Sequence, residues 1–391
     1  MKLEALVLTN FRNLVDGEIL FDSRITFFVG RNGQGKTNLL EAVYLLAYAK
    51  SFRHTKPPEL KAWGKEIVPT LIRGRVTTEI GDKLISYLVE ESSRKILINN
   101  KPVKRAADFF GQFRAIEFTP EDLLICKGAP AERRSFIDKI LASYNSIFVE
   151  TAQEYERALR NRNAVLRDLK RTTLRGTERG IERGTERAHA EKQLAPWNAV
   201  LAETGLAISK LRAKLVSELL PRFVAHYSAL SGAESAELHY SSSWIDLTVE
   251  QILGRYREFL ETDLRRGKTT QGAHLDELEI SLKFGELLRV ARSSASQGQA
   301  RSVVLALKLA ALELIHAKTG DLPVLLLDDV ESELDPIRRA ALHRLISNYG
   351  GQVFVSTTEL QVASEFFGKA SEKFRVIRIA AGQYQSSSEL V

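Results

Sequence analysis

The stretch Phe27-Phe28-Val29-Gly30-Arg31-Asn32-Gly33-Gln34-Gly35-Lys36-Thr37 decides how this chain is read. Ile25 to Val29 is a short apolar, β-leaning run, and Asn38 to Tyr48 reads as a helix. Between them stands G-x-x-x-x-G-K-T, the pattern of a phosphate-binding loop. Gly30, Gly33 and Gly35 let the backbone curl until successive N–H groups point inward at a polyphosphate. Lys36 supplies a mobile cation for the outer phosphates, and the Thr37 hydroxyl suits Mg²⁺. The free N–H groups opening the helix add partial positive charge at the same place. A glycine-rich turn ahead of a helix would match the same letters without binding anything, but strand before and helix after supply the context the motif requires. Residues Gly30 to Asn38 are therefore expected to hold a nucleoside triphosphate.

At 391 residues the chain is too long for one compact core, and two domains or more are expected. Hydrophobic residues make up 44% and charged residues 27%, an ordinary globular profile. The one cysteine, Cys126, excludes an internal disulfide and a cysteine-built zinc site and fits a reducing cytoplasm. The seven histidines are scattered, so no metal cluster is visible. A net charge of +7 permits contact with a polyanion, although 56 basic and 49 acidic residues mostly describe a mixed solvated surface. Leu3 to Leu8 reads as a strand and not as a signal peptide. The longest apolar run, Val303 to Ala317, is broken by Lys308 and Glu313, so no membrane span is expected.

Residues 1 to 29 read as three strands: Leu3 to Leu8, Glu18 to Phe21 and Ile25 to Val29. After a loop at Ser51 to Pro58 come Pro69 to Val76, Lys83 to Glu90 and Lys95 to Ile98. The last meets Lys101-Pro102-Val103 across Asn99-Asn100, a hairpin signal, and the set suggests an antiparallel lobe. Phe113 to Phe118 is a further strand, closed by a helix start at Thr119-Pro120-Glu121-Asp122. From Ala131 to Arg171 and from Ala195 to Leu230, apolar residues recur at helical steps, with Leu201, Ile208 and Leu215 one heptad apart. Such helices, roughly 40–50 Å long, pair as a short antiparallel arm or form a small bundle. Between them the Arg-Gly-x-Glu repeat at 175–187 has a Gly in every unit, which weakens a helix and predicts a mobile, solvated loop at the tip.

A phosphate-binding loop needs an acidic partner for Mg²⁺. Val324-Leu325-Leu326-Leu327-Asp328-Asp329 supplies it, a continuous apolar strand ending in two carboxylates. Asp328 is expected to bind Mg²⁺ together with Thr37, and Asp329 to orient or deprotonate the attacking water. Ser296-Gln297-Gly298-Gln299 opens a helix over Ala300 to Lys318, a second anion-binding helix start, and Gln352 to Ser356 reads as the next buried strand.

Together these segments resemble ABC-type ATPases: Ser296 to Gln299 is similar to their signature motif and Ser332-Glu333-Leu334-Asp335 to their D-loop. Asn10-Phe11-Arg12-Asn13-Leu14 resembles the opening of SMC- and Rad50-like heads. The fuller resemblance is to the RecF family. It rests on Asn38-Leu39-Leu40-Glu41-Ala42, Ser51-Phe52-Arg53, Phe118 to Leu123, Lys127-Gly128-Ala129-Pro130 with Arg133-Arg134, Ser296 to Gln299 and Leu327 to Asp335, in family order over most of the chain. Two departures stand out. Gly272-Ala273-His274-Leu275-Asp276-Glu277 replaces the family's Gly-Pro-His-Arg-Asp-Asp, and Thr357 stands where transporter ATPases carry a switch histidine.

The resemblance implies an α/β fold: an ABC-type head of mixed sheet plus antiparallel β lobe over 1–130 and 270–391, with a mostly helical arm inserted at 131–269. It adds Arg12 and Ser296 to Gln299 to the residues expected at ATP and Mg²⁺, the Ser296 to Gln299 segment of one copy closing over the Gly30 to Thr37 loop of the other. It further implies an ATP-dependent homodimer, slow hydrolysis used as a switch, and cytoplasmic work in recombinational repair. The partners implied are double-stranded DNA near gaps and single-strand junctions, and RecO and RecR. The competing expectations are an ABC-type subunit energising a membrane transporter, a chromosome-organising head, for which the arm is too short, and a nucleotide-binding scaffold that does not hydrolyse.

Overall fold

The computed structural model describes the chain except residues 54, 80, 92, 177–182, 232–233, 330–335, 359–373 and 390–391. Its first part runs β1 (Lys2–Thr9), β2 (Gly17–Leu20), β3 (Ile25–Val29), α1 (Lys36–Tyr48), β4 (Thr70–Thr78), β5 (Gly81–Glu90), β6 (Ser93–Ile98), β7 (Lys101–Pro102) and β8 (Ala115–Phe118). Helices α2 (Leu123–Lys127), α3 (Pro130–Tyr144), α4 (Ser146–Gly176) and α5 (Arg183–Ser231) follow, then β9 (Ala236–Ser241), α6 (Val249–Glu258) and α7 (Leu260–Arg266). The last part holds β10 (Glu277–Phe284), β11 (Leu287–Val290), α8 (Ala291–Ser294), α9 (Gln297–Thr319), β12 (Val324–Asp328), α10 (Pro336–Asn348), β13 (Val353–Thr357), β14 (Phe374–Ala380) and β15 (Gln383–Glu389).

Two six-stranded sheets sandwich α1. One is antiparallel, in the order β2-β1-β4-β5-β6-β7, and its central strands β1 and β4 alternate buried with more exposed residues as a one-sided sheet does. Asn99 and Asn100 close the β6–β7 turn with positive φ, 50° and 62°, which is why an Asn-Asn pair marks that hairpin. The other sheet runs β15-β14-β3-β13-β12-β8 and is parallel from β14 to β8. Strands β3, β12 and β13 are buried along their whole length, which accounts for their unbroken apolar runs. Parallel register puts Asp328 beside Ser356 and Ser356 beside Phe28, so the ends of three central strands reach the same edge.

Helix α9 is buried almost throughout between the parallel sheet and the helical layer. It starts with a full capping box between Ser296 and Gln299 and stops at Gly320 in a left-handed conformation. Its buried Lys308 is answered by Asp122 at 2.6 Å and by the Glu117 carbonyl, while Lys139 pairs with Glu117 at 2.8 Å. This charge cluster joins β8, α3 and α9.

Helices α4 and α5 lie antiparallel. Tyr155 packs at Gly205, Arg162 Nε donates to Asn198 at 2.7 Å, and Leu166 meets Ala190 and Leu194. Arg162 is wholly buried, paired with buried Asp263 at 2.7 Å and lying over the Tyr256 ring. The base of α5 packs on α9 and β9.

Several expectations need correction. Helix α5 has 49 residues and begins well before Ala195; Pro196 and Pro221 lie inside it. Packing of Ala190 and Leu194 against Leu166 and Leu260 carries the helix past Pro196, whose missing N–H costs one bond. Of the 175–187 repeat, residues 175–176 and 183–187 are helical, against the expected loop, and 177–182 lie outside the described residues. A three-stranded sheet, β11-β10-β9, and the β14–β15 hairpin have no counterpart in the sequence reading. The segment Gly272 to Glu277 is a structural knot. His274 Nδ1 meets Tyr155 Oη at 2.7 Å, Asp276 accepts from Ser209 and Tyr240, and Glu277 takes a bidentate pair from Arg133. Among the described residues no helix is long and apolar enough to cross a membrane.

Candidate nucleotide-binding site

The loop between β3 and α1 surrounds a cavity of about 320 Å³ lined by Asn32, Gly33, Gly35, Lys36, Thr37, Asn38, Arg53, Asp329 and Ser356. Two glycines are indispensable for its shape. A Cβ on Gly30 would lie 2.3 Å from the Ile379 carbonyl oxygen. Gly35, at φ 117°, caps α1, and a Cβ there would lie 2.7 Å from Leu14. Because α1 begins at Lys36, its first N–H groups face the cavity.

Lys36 Nζ donates to the carbonyls of Gly30 at 2.6 Å and Arg31 at 3.1 Å, so the cation is held folded over the loop. Burial lowers its pKa from the ordinary lysine range, with Asp329 and Asp328 pulling the other way. Thr37 Oγ1 donates to Asp328 Oδ1 at 2.9 Å, and Ser356 Oγ donates to the same oxygen at 2.7 Å. Burial raises the Asp328 pKa and these hydrogen bonds oppose it. A hydroxyl and a carboxylate in contact at the mouth of a phosphate loop fit a hard divalent cation that keeps several waters. Asp329 sits one residue on, in a left-handed conformation (φ 49°), with its N–H bonded to Ser356 Oγ at 3.0 Å.

The structure distributes the other expected residues unevenly. Gln34 faces the β14–β15 turn, where its side-chain and main-chain oxygens accept from the N–H groups of Ala381 and Gly382. Arg12 does not line the cavity. Its guanidinium pairs bidentately with fully buried Glu41 at 2.8 and 3.0 Å and also reaches Thr55 and the Glu59 carbonyl. Ser296, Gln297, Gly298 and Gln299 also lie away from their own chain's cavity, with Ser296 and Gln297 exposed at the start of α9. Gln299 reaches Glu234, and Lys127 holds the carbonyls of Ala291, Arg292 and Ala295 just before the segment. The expected D-loop, Ser332 to Asp335, lies outside the described residues. Thr357 is buried at the end of β13, its carbonyl accepting from Gly30 N–H at 3.3 Å.

Arg53 and Ser356 line the cavity without having been expected there, and Asn13 supports the loop from outside it. Arg53 is exposed, lines the cavity and donates to Asn38 Oδ1 at 3.1 Å. Asn13 braces the loop, donating to the Gly33 carbonyl at 3.2 Å and accepting from Asn38 at 2.7 Å. Both come from segments distant in sequence, and neither carries a local pattern that signals phosphate.

A parallel sheet with this loop, an acid-ended neighbouring strand and a capped helix on a separate rim has the architecture of an ABC-type ATPase head. The match extends to the family level. The family model of the RecF/RecN/SMC N-terminal domain covers residues 2–382. The chain is 34% identical over 390 residues to the DNA replication and repair protein RecF of Leptospira interrogans, covering 99% of this chain and 100% of that one. To the RecF of Geobacter metallireducens it is 36% identical over 361 residues, covering 90% and 92%. A solved structure described as the recombination mediator protein RecF with ATP in the RecFOR pathway superposes with TM-score 0.82 at 28% identity, covering 98% of this chain and 97% of that one. An Smc head from Pyrococcus furiosus shares the fold, with TM-score 0.56 at 18% identity and coverage of 99% and 96%. The chain belongs to the RecF family.

Proposed function

We propose that this protein is an ATP-switched DNA clamp of recombinational repair. ATP with Mg²⁺ binds in the Gly30–Asn38 loop, Thr37 and Asp328 hold the metal, and Lys36 and Arg53 meet the outer phosphates. Asp329 orients water for a slow hydrolysis. Two copies close face to face, the Ser296–Gln299 rim of each completing the site of the other, while residues 131–269 act as the inserted arm of a head built from 1–130 and 270–391. The closed dimer grips double-stranded DNA near single-strand gaps, works with RecO- and RecR-type partners to load recombinase, and lets go after hydrolysis. Arg12 acts on this site through Glu41.

One observation carries the reading. The exposed, capped start of α9 at Ser296 is separate from the cavity of its own chain, and a helix start of this kind gains a use as an anion site when a second molecule supplies the nucleotide. DNA affinity then comes from Lys and Arg contacts to phosphate and falls with salt.

The test is binding to a labelled gapped duplex without nucleotide, with ADP and with a non-hydrolysable ATP analogue, at two salt concentrations. Tight, salt-sensitive binding with the analogue alone is the expected result. Binding indifferent to nucleotide, or none, overturns it.

A further inference from the structure

Lys127 stands at the end of α2, outside the lining of its own chain's nucleotide cavity. Its Nζ donates to the carbonyls of Ala291 at 3.4 Å, Arg292 at 3.3 Å and Ala295. An ammonium carries three donors and no acceptor, so three main-chain carbonyls use it fully. Ala291 to Ser294 form α8, the single turn before Ser296, and a turn this short leaves carbonyls for an outside donor. The Ala295 carbonyl belongs to the peptide that leads into Ser296. The N–H of the same peptide donates to Gln299 Oε1 at 3.0 Å. Because a peptide group is planar, holding both of its edges fixes the direction in which Ser296 to Gln299 leaves the turn.

Two further contacts hold the start of α9. Gln299 Nε2 reaches the Glu234 carboxylate at 3.2 Å, and Arg338 Nε donates to Ser302 Oγ at 2.7 Å. The Arg338 guanidinium covers Gly298 so closely that a Cβ there would lie 3.3 Å from it. These contacts act within the helix, whereas Lys127 acts on the chain entering it.

Helix α2 ties that grip to the nucleotide site of its own chain. It has five residues and follows β8, whose Phe118 lies beside Leu327, the residue before Asp328. A capping box between Thr119 and Asp122 shapes the turn from β8 into α2, and Asp122 is paired with buried Lys308 at 2.6 Å. At the far end a Cβ on Gly128 would lie 2.4 Å from the Leu124 carbonyl oxygen, so the chain leaves α2 in close contact with it. Arg133 donates to the Gly128 carbonyl at 3.1 Å, while its bidentate pair with Glu277 anchors it on β10. Pinned at both ends, α2 is a short strut from the ends of β8 and β12 to the turn before Ser296.

We infer that Lys127 is a positioning residue: through the Ala295–Ser296 peptide it sets the orientation in which Ser296 to Gln299 of one copy meets the nucleotide held by another. The inference rests on the ATP-dependent dimer proposed above. It adds a route within one chain, by which its own nucleotide site and the segment it lends to a second copy move together. The ATP affinity of the monomer does not depend on Lys127.

The test uses the full chain carrying Lys127→Met, which keeps the stem and removes the donors, or Lys127→Arg, which keeps the charge. Nucleotide titration of the dilute monomer, thermal unfolding and sedimentation with a non-hydrolysable ATP analogue are the measurements. Expected for Lys127→Met are unchanged monomer affinity and melting temperature, with a dimer dissociation constant raised about tenfold or more. Lys127→Arg recovers most of the assembly. Mixing Lys127→Met with Asp329→Asn restores hydrolysis that neither matches alone, because one site of the mixed dimer then joins an intact loop to an intact signature segment. Assembly of Lys127→Met at the wild-type dissociation constant overturns the inference. Loss of monomer ATP affinity or of melting temperature in step with assembly makes Lys127 a packing residue and overturns it too. So does absent recovery on mixing when the wild-type chain hydrolyses ATP, since the defect then lies in the copy's own site. A wild-type chain that stays monomeric with the analogue removes the clamp reading and this inference with it.

Discussion

Thr37 and Asp328 stand 291 residues apart in the chain and are joined by one hydrogen bond of 2.9 Å. The contact sets the first residues of α1 against the end of β12, and Ser356 from β13 fixes the same carboxylate oxygen. Replacing Asp328 with Asn keeps the hydrogen bonds but removes the charge that a cation needs. Mg²⁺-dependent ATP affinity, followed by calorimetry, is expected to fall about tenfold or more, a charged hydrogen bond being worth ~1.5–3 kcal/mol. Because burial raises the Asp328 pKa, wild-type Mg²⁺·ATP affinity weakens on acidification at a higher pH than an ordinary aspartate would dictate. Affinity that ignores both Mg²⁺ and the variant would remove Asp328 from the metal site.

Asp329 occupies a left-handed backbone conformation that Asn adopts readily, so Asp329→Asn alters chemistry with little strain. Hydrolysis is expected to drop by about 10²–10⁴-fold, the contribution of a general base, and the ATP-bound dimer to accumulate on size exclusion. Lys36→Arg should not form that dimer. If neither substitution changes oligomeric state, the switch reading is lost.

Arg53 reaches the cavity from outside the loop and donates to Asn38 there. Arg53→Ala is expected to weaken ATP binding several-fold and ADP binding less, with an unchanged melting temperature. Equal losses for both nucleotides would mean that the guanidinium does not meet the outermost phosphate.

Arg12 predicts the opposite balance. Removing it strands the buried carboxylate of Glu41, which among the described residues then keeps the hydrogen bond from Ser51 Oγ at 2.5 Å. Arg12→Ala should therefore destabilise the fold by about 3–5 kcal/mol in urea unfolding. A stable variant with abolished nucleotide affinity would instead place Arg12 on the ligand.

Glu117 links acid sensitivity to the helical layer. Burial alone would raise its pKa, but Lys139 and Lys308 outweigh that and hold it at about 2. A carboxyl depressed on folding adds stability that is fully present above its unfolded value. That stability is lost as pH falls toward about 2. Glu117→Gln should flatten this part of the stability–pH curve while lowering stability at neutral pH. An unchanged acid limb would show that the pair does not titrate with folding.

The sequence by itself determined the phosphate loop, the acid-ended strand, the capped helix at Ser296 and the antiparallel lobe. Each is signalled by neighbours a few residues apart: a glycine spacing, a continuous apolar run, a Ser–Gln capping pair, an Asn–Asn turn. It also carried the family resemblance, because those local signals fall in a fixed order. Tertiary structure decided what depends on distant partners. Arg12 pairs with Glu41 because a buried carboxylate needs a cation, and Arg53 lines the cavity from a segment outside the loop. Helix α5 ran through Pro196 because packing on α4 outweighed one missing backbone bond. Strands β9 to β11 formed where neighbouring strands met, although no local pattern had marked them. Short-range periodicity is written along the chain, whereas the pairing of buried charges and edge strands depends on which segments the finished fold brings within reach.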